Sequence, residues 1–189
     1  MIWRKGEYRV RKWILVLALV SFFNLGGLTG LNWPEGEADA AASKANLSKV
    51  VMVKMATPKG AIDIAVYPAL MPVTCANFLK LVDSGFYNGL VFHRVENWVV
   101  QGGDPKGNGT GGPGWSIKLE THPDLKNIRG AVAMARAAHP DSAGSQFYIL
   151  KTDASWLDGQ YAVFGTVVKG MEVVDKLGIG DKMKISRQK

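Results

Sequence analysis

The glycine-rich segment 101–114 is the first part of the chain whose residue types suggest chemistry, because backbone amides in such loops can bind phosphate. A phosphate-binding loop of the P-loop type ends in Gly-Lys-Ser or Gly-Lys-Thr and is followed by a helix whose N-terminus faces the anion. This segment has neither that ending nor a helical pattern after it. The pattern therefore argues against nucleotide binding.

Nucleophilic and metal-dependent chemistry find little support elsewhere in the chain. Ser145 lies in Gly-Ser-Gln, which differs from the Gly-x-Ser-x-Gly turn of hydrolases. Cys75 is the only cysteine, which excludes an internal disulfide, and its apolar helical surroundings predict a buried core residue. Only three histidines could add metal ligands. We therefore expect neither a metal nor a cofactor.

The composition is that of an ordinary globular domain behind a distinct N-terminal segment. Hydrophobic residues make up 47% and charged residues 21% of the 189 residues, which is close to average globular usage. Residues 1–12 carry five basic side chains and one acidic side chain, and so contribute +4 of the formal net charge of +7. The remaining lysines are scattered singly, without a basic patch interleaved with aromatic residues, so we expect no nucleic-acid surface.

Residues 1–42 are predicted to be a signal peptide or an N-terminal membrane anchor, followed by a linker. The basic residues 1–12 precede the uncharged apolar run 13–23, which is the order of the n-region and h-region in a secretory signal. An Ala-x-Ala cleavage signal ends at Ala40. We therefore expect export across the cytoplasmic membrane, to a periplasmic or other extracytoplasmic location.

Whether this segment is cleaved remains open from the sequence. The uncharged stretch 13–34 is about 22 residues long, which is enough to span a bilayer if it stays attached. The positive-inside rule places the N-terminus in the cytoplasm in both cases. The domain 43–189 is therefore expected outside the cytoplasm, in contact with the membrane only through the N-terminal segment.

The folded part alternates short apolar segments with turn signals, which predicts a mainly β structure. Strands are expected at 50–55, 61–67, 90–95, 98–101, 132–136, 146–150, 162–168 and 183–186. Helical spacing predicts one helix from Pro72 to near Gly85 and a second over 171–177. Many strands with only two distant helices favour a closed or nearly closed barrel whose ends the helices cover, and argue against a doubly wound α/β fold.

Five motifs resemble, in the same order, the signatures of the cyclophilin family. They are Phe-His-Arg-Val at 92–95, Gln-Gly-Gly-Asp-Pro at 101–105, Gly-Thr-Gly-Gly-Pro-Gly at 109–114, Gly-Ser-Gln-Phe at 144–147 and Trp-Leu-Asp-Gly at 156–159. The resemblance covers about residues 49–177 and implies a closed eight-stranded antiparallel β-barrel capped by two α-helices. It also implies a monomeric peptidyl-prolyl cis-trans isomerase that acts on proline-containing polypeptides without a cofactor.

This reaction explains why no activated nucleophile is needed. Rotation about a peptide bond faces a barrier of about 18–20 kcal/mol, and lowering it by roughly 5–6 kcal/mol accelerates rotation about ten-thousandfold. Arg94 matches the family's central arginine, whose fixed donors would bond the prolyl nitrogen as it becomes pyramidal. Gln101 matches the glutamine that helps to orient this arginine and the substrate carbonyl. The resemblance therefore assigns Arg94 and Gln101 to catalysis.

Further positions are assigned to substrate binding by the resemblance. An apolar pocket for the proline ring is expected from Trp98, Val99, Tyr148 and Leu157. The commonest family residues at the first three of these positions are Phe, Met and Phe, so we expect an altered pocket depth and substrate preference. The remaining substrate-binding positions are Ala135, Arg136, Ala137, Gln146, Trp156 and Tyr161. The tryptophan at 156 also implies sensitivity to cyclosporin-type inhibitors.

Two other functional classes remain open at this stage. A proline-binding module without turnover would keep the groove, but both Arg94 and Gln101 are present. A membrane-attached structural protein would have no pocket. If the chain is an exported isomerase, we expect its clients to be proteins that fold outside the cytoplasm, where slow prolyl isomerisation can limit folding.

Overall fold

Eight short strands carry most of the chain's regular structure, and the computed structural model describes them within residues 50–188. The predicted signal or anchor segment lies outside these residues. The elements are β1 (Val51–Thr57), β2 (Gly60–Val66), α1 (Pro72–Asp83), β3 (Phe92–Val95), β4 (Val99–Gly102), β5 (Ala131–Met134), β6 (Phe147–Leu150), β7 (Val163–Lys169), α2 (Met171–Val174) and β8 (Lys184–Arg187). Every strand expected from the sequence is present, so the prediction of a mainly β fold is confirmed.

The strands form one curled antiparallel sheet in the order β3-β4-β6-β5-β7-β2-β1-β8. The sheet is a half-barrel, and the closed barrel expected from the sequence is not shown, because no ladder joins β3 to β8. The segments that precede these strands meet at a bridge between Val91 and Lys182 and are joined by four backbone hydrogen bonds between residues 89–92 and 180–183. The chain turns at Gly180, where φ is +88°, and the Gly180 amide makes the last of these bonds, to the carbonyl of Phe92.

The helix α1 begins at Pro72 and ends at Asp83, as the helical spacing predicted. Proline suits the first turn of a helix because the amide it lacks would have no partner there. The backbone amides of Val73 and Thr74 donate to the carboxylate of Glu120, at 3.2 and 2.8 Å. A residue distant in sequence therefore caps the helix. The second helix, α2, has only four residues and is shorter than the predicted 171–177, because the chain after Val174 continues as turns.

The core lies between α1 and the concave face of the sheet. Phe78 of α1 is fully buried, and its ring centre lies 5.4 Å from that of Tyr87, 5.8 Å from that of Phe147 and 4.8 Å from that of Phe164. Cys75 is also fully buried, and desolvation raises the pKa of its thiol to about 12. The cysteine is therefore a core residue, as predicted. Among residues 50–188, no helix has the length and apolar character that a membrane crossing requires.

Candidate active site

The hairpin of β3 and β4 brings Arg94 opposite Gln101 in the strand register. The Nη1 atom of Arg94 donates a hydrogen bond to Oε1 of Gln101, and the two atoms are 3.3 Å apart. Side chains directly opposite each other on antiparallel strands lie on the same face of the sheet. The register of one hairpin therefore places a guanidinium and an amide side by side.

A chain of amide side chains extends from Gln101 to the glycine-rich loop. The Nε2 atom of Gln101 donates to Oε1 of Gln146 at 3.0 Å. In turn, Nε2 of Gln146 donates to the backbone carbonyls of Gly109 at 3.0 Å and Gly111 at 2.8 Å. These bonds fix the orientation of both amides. The conformation of the loop is thereby connected to the position of Arg94.

Asp104 organises the glycine-rich loop from inside. Only 1% of its surface is exposed, and its carboxylate accepts hydrogen bonds from the backbone amides of Lys106 at 2.8 Å, Asn108 at 3.0 Å and Gly109 at 2.6 Å. Burial raises the pKa of Asp104, but these backbone hydrogen bonds outweigh it and hold the pKa below its usual range. A Cβ atom at Gly111 would clash with the same carboxylate. The glycines therefore surround an aspartate of the chain itself.

Two adjoining cavities collect the positions that the sequence singled out. The smaller has a volume of about 100 Å³ and is lined by Arg94, Trp98, Val99, Gln101, Ala135, Arg136, Tyr148, Leu157 and Tyr161. The larger, an open groove of about 680 Å³, shares Gln101, Ala135 and Arg136 with it and is also lined by Ala137 and Gln146. Val99 and Tyr148 are buried and form part of the apolar wall of the smaller pocket.

Aromatic residues surround the mouth of the smaller pocket. Trp156 is 60% exposed, and its ring centre lies 5.9 Å from that of Trp98. On the other side, the guanidinium of Arg136 stacks 4.6 Å from the ring centre of Tyr161 and donates to the carbonyl of Gln160 at 3.1 Å. The structure therefore brings every predicted site position to one surface.

Comparison with known proteins shows the family to which this chain belongs. The family model "Cyclophilin type peptidyl-prolyl cis-trans isomerase/CLD" matches residues 52–188. The chain belongs to the cyclophilin family. Peptidyl-prolyl cis-trans isomerase B of Bacillus subtilis is 46% identical over 125 residues, covering 65% of this chain and 87% of that protein. A peptidyl-prolyl cis-trans isomerase of Helicobacter pylori is 44% identical over 139 residues, covering 71% of this chain and 85% of the relative.

Solved cyclophilin structures share the fold. A cyclophilin-type isomerase of Cryptosporidium parvum superposes with a TM-score of 0.69 at 31% identity, covering 74% of this chain and 98% of that one. A second crystal structure of the same isomerase, in the presence of the dipeptide Ala-Pro, superposes with a TM-score of 0.67 at 31% identity and covers 73% of this chain and 99% of the other. The present chain is thus a cyclophilin-type peptidyl-prolyl cis-trans isomerase.

Two residues that sequence reasoning missed support the pocket of this cyclophilin from behind. The hydroxyl of Tyr148 donates to Oδ1 of Asn127 at 2.7 Å. The backbone amide and Nδ2 of Asn127 both donate to Oδ1 of Asp158, at 2.7 and 3.1 Å, and the backbone hydrogen bond holds the pKa of Asp158 below its usual range. Desolvation raises the pKa of Tyr148, which keeps its hydroxyl protonated. The sequence signal was present, since Asp158 belongs to the Trp-Leu-Asp-Gly motif.

Replacing Tyr148 with phenylalanine is expected to lower the free energy of unfolding by about 1–2 kcal/mol, because it leaves the buried Asn127 oxygen without its donor. The ring that lines the pocket is kept, so kcat/KM for an Ala-Pro peptide should change less than about twofold. Urea denaturation followed by tryptophan fluorescence measures the first quantity. Tyr161→Phe is the matched control, because the Tyr161 hydroxyl makes no hydrogen bond within residues 50–188. Equal unfolding midpoints for Y148F and the wild type would contradict the role of this hydrogen bond.

Another residue absent from the sequence prediction is Glu96, directly after β3. Its Oε1 accepts a hydrogen bond from Nε of Arg94 at 2.6 Å, and its Oε2 accepts one from the indole nitrogen of Trp98 at 2.8 Å. The Phe-His-Arg-Val motif ends at Val95, one residue before Glu96. No motif therefore pointed to this carboxylate.

Proposed function

We propose that this cyclophilin accelerates rotation about Xaa-Pro bonds in exported proteins and so assists their folding, with Arg94 as its catalytic residue. The observation that carries the proposal is the Arg94 guanidinium, held by Gln101 at the wall of a small apolar pocket. A pocket of about 100 Å³ can accept a proline ring. The guanidinium beside it can then reach the nitrogen of that ring.

Catalysis would follow from stabilisation of the twisted amide. As the Xaa-Pro bond rotates, the prolyl nitrogen loses conjugation, becomes pyramidal and gains a lone pair that can accept a hydrogen bond. A donor fixed in advance stabilises this state more than either planar isomer, which lowers the barrier. The guanidinium is charged at every physiological pH and its fork of donors is rigid. Arg94 would therefore supply this bond without any proton transfer.

The other predicted positions would align the peptide. Trp98, Val99, Tyr148 and Leu157 would enclose the proline ring, and Gln101 would orient the substrate carbonyl. The flanking residues of the peptide would lie extended along Ala135, Arg136 and Ala137, beside the larger groove that Gln146 lines. The backbone amide of Arg136 makes none of the backbone hydrogen bonds found within residues 50–188, which supports pairing with a substrate strand.

The location and inhibitor sensitivity are further parts of the proposal. The basic segment and apolar run of residues 1–34 support export. The exposed Trp156 indole at the pocket mouth supports binding of cyclosporin-type inhibitors. The Ala-Pro dipeptide named with the Cryptosporidium structure supports Ala-Pro peptides as test substrates. We expect the domain to act as a monomer.

Catalysis is tested by NMR exchange measurement of cis-trans rotation in a short Ala-Pro peptide with the full chain. Acceleration that cyclosporin suppresses is the expected result. Binding of the peptide without acceleration would instead favour a proline-binding module. Export is tested separately by fusing residues 1–42 to alkaline phosphatase, which is active only outside the cytoplasm, and an inactive fusion would contradict export.

A further inference from the structure

The side chains of Arg94, Glu96 and Trp98 form a closed set on the outer part of the β3–β4 hairpin. Each carboxylate oxygen of Glu96 has its own donor, which is Nε of Arg94 at 2.6 Å for Oε1 and the Trp98 indole nitrogen at 2.8 Å for Oε2. The guanidinium carbon of Arg94 lies 5.2 Å from the centre of the Trp98 ring. All three pairwise contacts are therefore made.

The short hairpin explains why these three residues meet. β3 ends at Val95 and β4 begins at Val99, and the backbone amide of Glu96 donates to the carbonyl of Val99 at 2.8 Å. Only Asn97 and Trp98 remain to make the turn. Alternate residues of a strand point to the same face, so Arg94 and Glu96 are neighbours by the local pattern alone. The turn brings the Trp98 indole nitrogen to 2.8 Å from the Glu96 carboxylate.

The hydrogen bonds of Arg94 define the direction of its guanidinium. The Nε atom is bonded to Glu96, and Nη1 is bonded to Gln101 at 3.3 Å. The Nη2 atom makes no hydrogen bond among residues 50–188, although Arg94 lines the smaller pocket. Turning the guanidinium would break at least one of the two bonds. Glu96 and Gln101 thus hold the group from two sides and leave one nitrogen for a ligand.

We propose that Glu96 is a positioning residue that fixes the Arg94 guanidinium for isomerisation, an inference that rests on the proposed catalytic role of Arg94. Glu96 does not line either pocket and acts on isomerisation through Arg94, while the Trp98 indole is its second hydrogen-bond donor. The family signature does not contain this carboxylate. Glu96 lies directly before the two-residue turn of Asn97 and Trp98.

The expected effect is moderate, because the side chains of Arg94 and Glu96 are 42% and 45% exposed and solvent screens such pairs. Glu96→Ala is expected to lower kcat/KM for the Ala-Pro peptide about fivefold, mainly through kcat. Glu96→Gln keeps an acceptor for one donor but loses the charge, so kcat/KM should fall only about twofold. The matched control is Asp83→Ala, which removes an ion pair with Arg187 of similar exposure, 50% and 43%, away from both pockets. D83A should keep wild-type kcat/KM.

The pH profile gives a readout that a purely structural role would not change. Hydrogen bonds from Arg94 and Trp98 hold the pKa of Glu96 below its usual range. Protonation on acidification would therefore release Arg94 and lower kcat/KM as the pH falls through this lowered pKa. Arg94 is the charged group in contact with Glu96, and Trp98 and Trp156 on the neighbouring surface carry no charge. This acidic decline should be missing in Glu96→Gln.

A double-mutant cycle separates action through Arg94 from other effects. In an Arg94→Ala background, Glu96→Ala should change kcat/KM no further. Wild-type rates and an unchanged pH profile in E96A would overturn the proposal, and so would faster turnover, which would mean that Glu96 restrains Arg94. If the wild-type chain does not accelerate rotation at all, the proposed function fails. An active wild type with an unaffected E96A variant overturns only the role of Glu96, so the two outcomes can be distinguished.

Discussion

Arg94→Ala is expected to lower kcat/KM for an Ala-Pro peptide about a hundredfold or more. Removing one preorganised donor from a site that stabilises a developing acceptor typically costs about 10²–10³ in rate. The free energy of unfolding should change by less than about 1 kcal/mol, because the Arg94 side chain is 42% exposed and its ion pair with Glu96 lies in solvent. The peptide should still bind, since the apolar wall of the pocket is unchanged. NMR exchange rates and peptide titration measure these two quantities separately.

Two further variants make this result specific. Arg94→Lys keeps the positive charge but loses the planar fork that bonds Gln101 and Glu96 together, so most of the activity should still be lost. Arg187→Ala removes an exposed arginine and its ion pair with Asp83 outside both pockets, and should leave kcat/KM unchanged. Wild-type turnover in R94A would exclude Arg94 as the catalytic residue. Full activity in R94K would show that charge alone is sufficient.

The strands could be predicted because their signals are local. The β-rich run of Val51–Thr57 and the proline that starts α1 are both visible within a few residues. The closure of the sheet was predicted wrongly because it depends on two segments about ninety residues apart, Val91 and Lys182. Nothing in either segment alone indicates how far their pairing extends into β3 and β8. The second helix was predicted too long. Leu177 continues the apolar pattern, but the chain leaves the helix after Val174 and continues as turns.

The candidate site shows the same contrast between positions with a local sequence signal and positions that depend on the fold. Motif positions such as Arg94 and Gln146 could be found by resemblance, and the structure brings them to one surface. Supports such as Asn127 could not be found because they act across long sequence distances, and Glu96, although only two residues from Arg94, lies outside every motif. Asn127 bonds a tyrosine 21 residues later, and Glu120 caps a helix that starts 48 residues earlier. Such carboxylates and amides look like ordinary surface residues until the fold gives them partners.

Asp104→Asn is expected to lower the free energy of unfolding by about 2–4 kcal/mol. The charge-assisted bonds from backbone amides to the carboxylate are lost, and the NH₂ group of asparagine would face backbone N–H donors in place of a carboxylate oxygen. The carboxylate accepts from Lys106, Asn108 and Gly109, and the loop that it organises holds Gln146 through the Gly109 carbonyl. We therefore expect kcat/KM to fall as well, although the Asp104 carboxylate lines neither pocket.

The pH dependence of stability provides the decisive comparison for Asp104. Its pKa is lower in the folded state than in the unfolded state, so its contribution is complete above the unfolded pKa and is lost as the pH falls through the folded pKa. The difference in unfolding free energy between wild type and D104N should therefore be large at neutral pH and shrink on acidification. Asp181→Asn, whose carboxylate accepts a single hydrogen bond from the backbone amide of Gly178, should cost less and leave turnover unchanged. A constant difference across this pH range would mean that the Asp104 charge does not stabilise the loop, and the connection from Asp104 through Gln146 and Gln101 to Arg94 would then have to depend on packing alone.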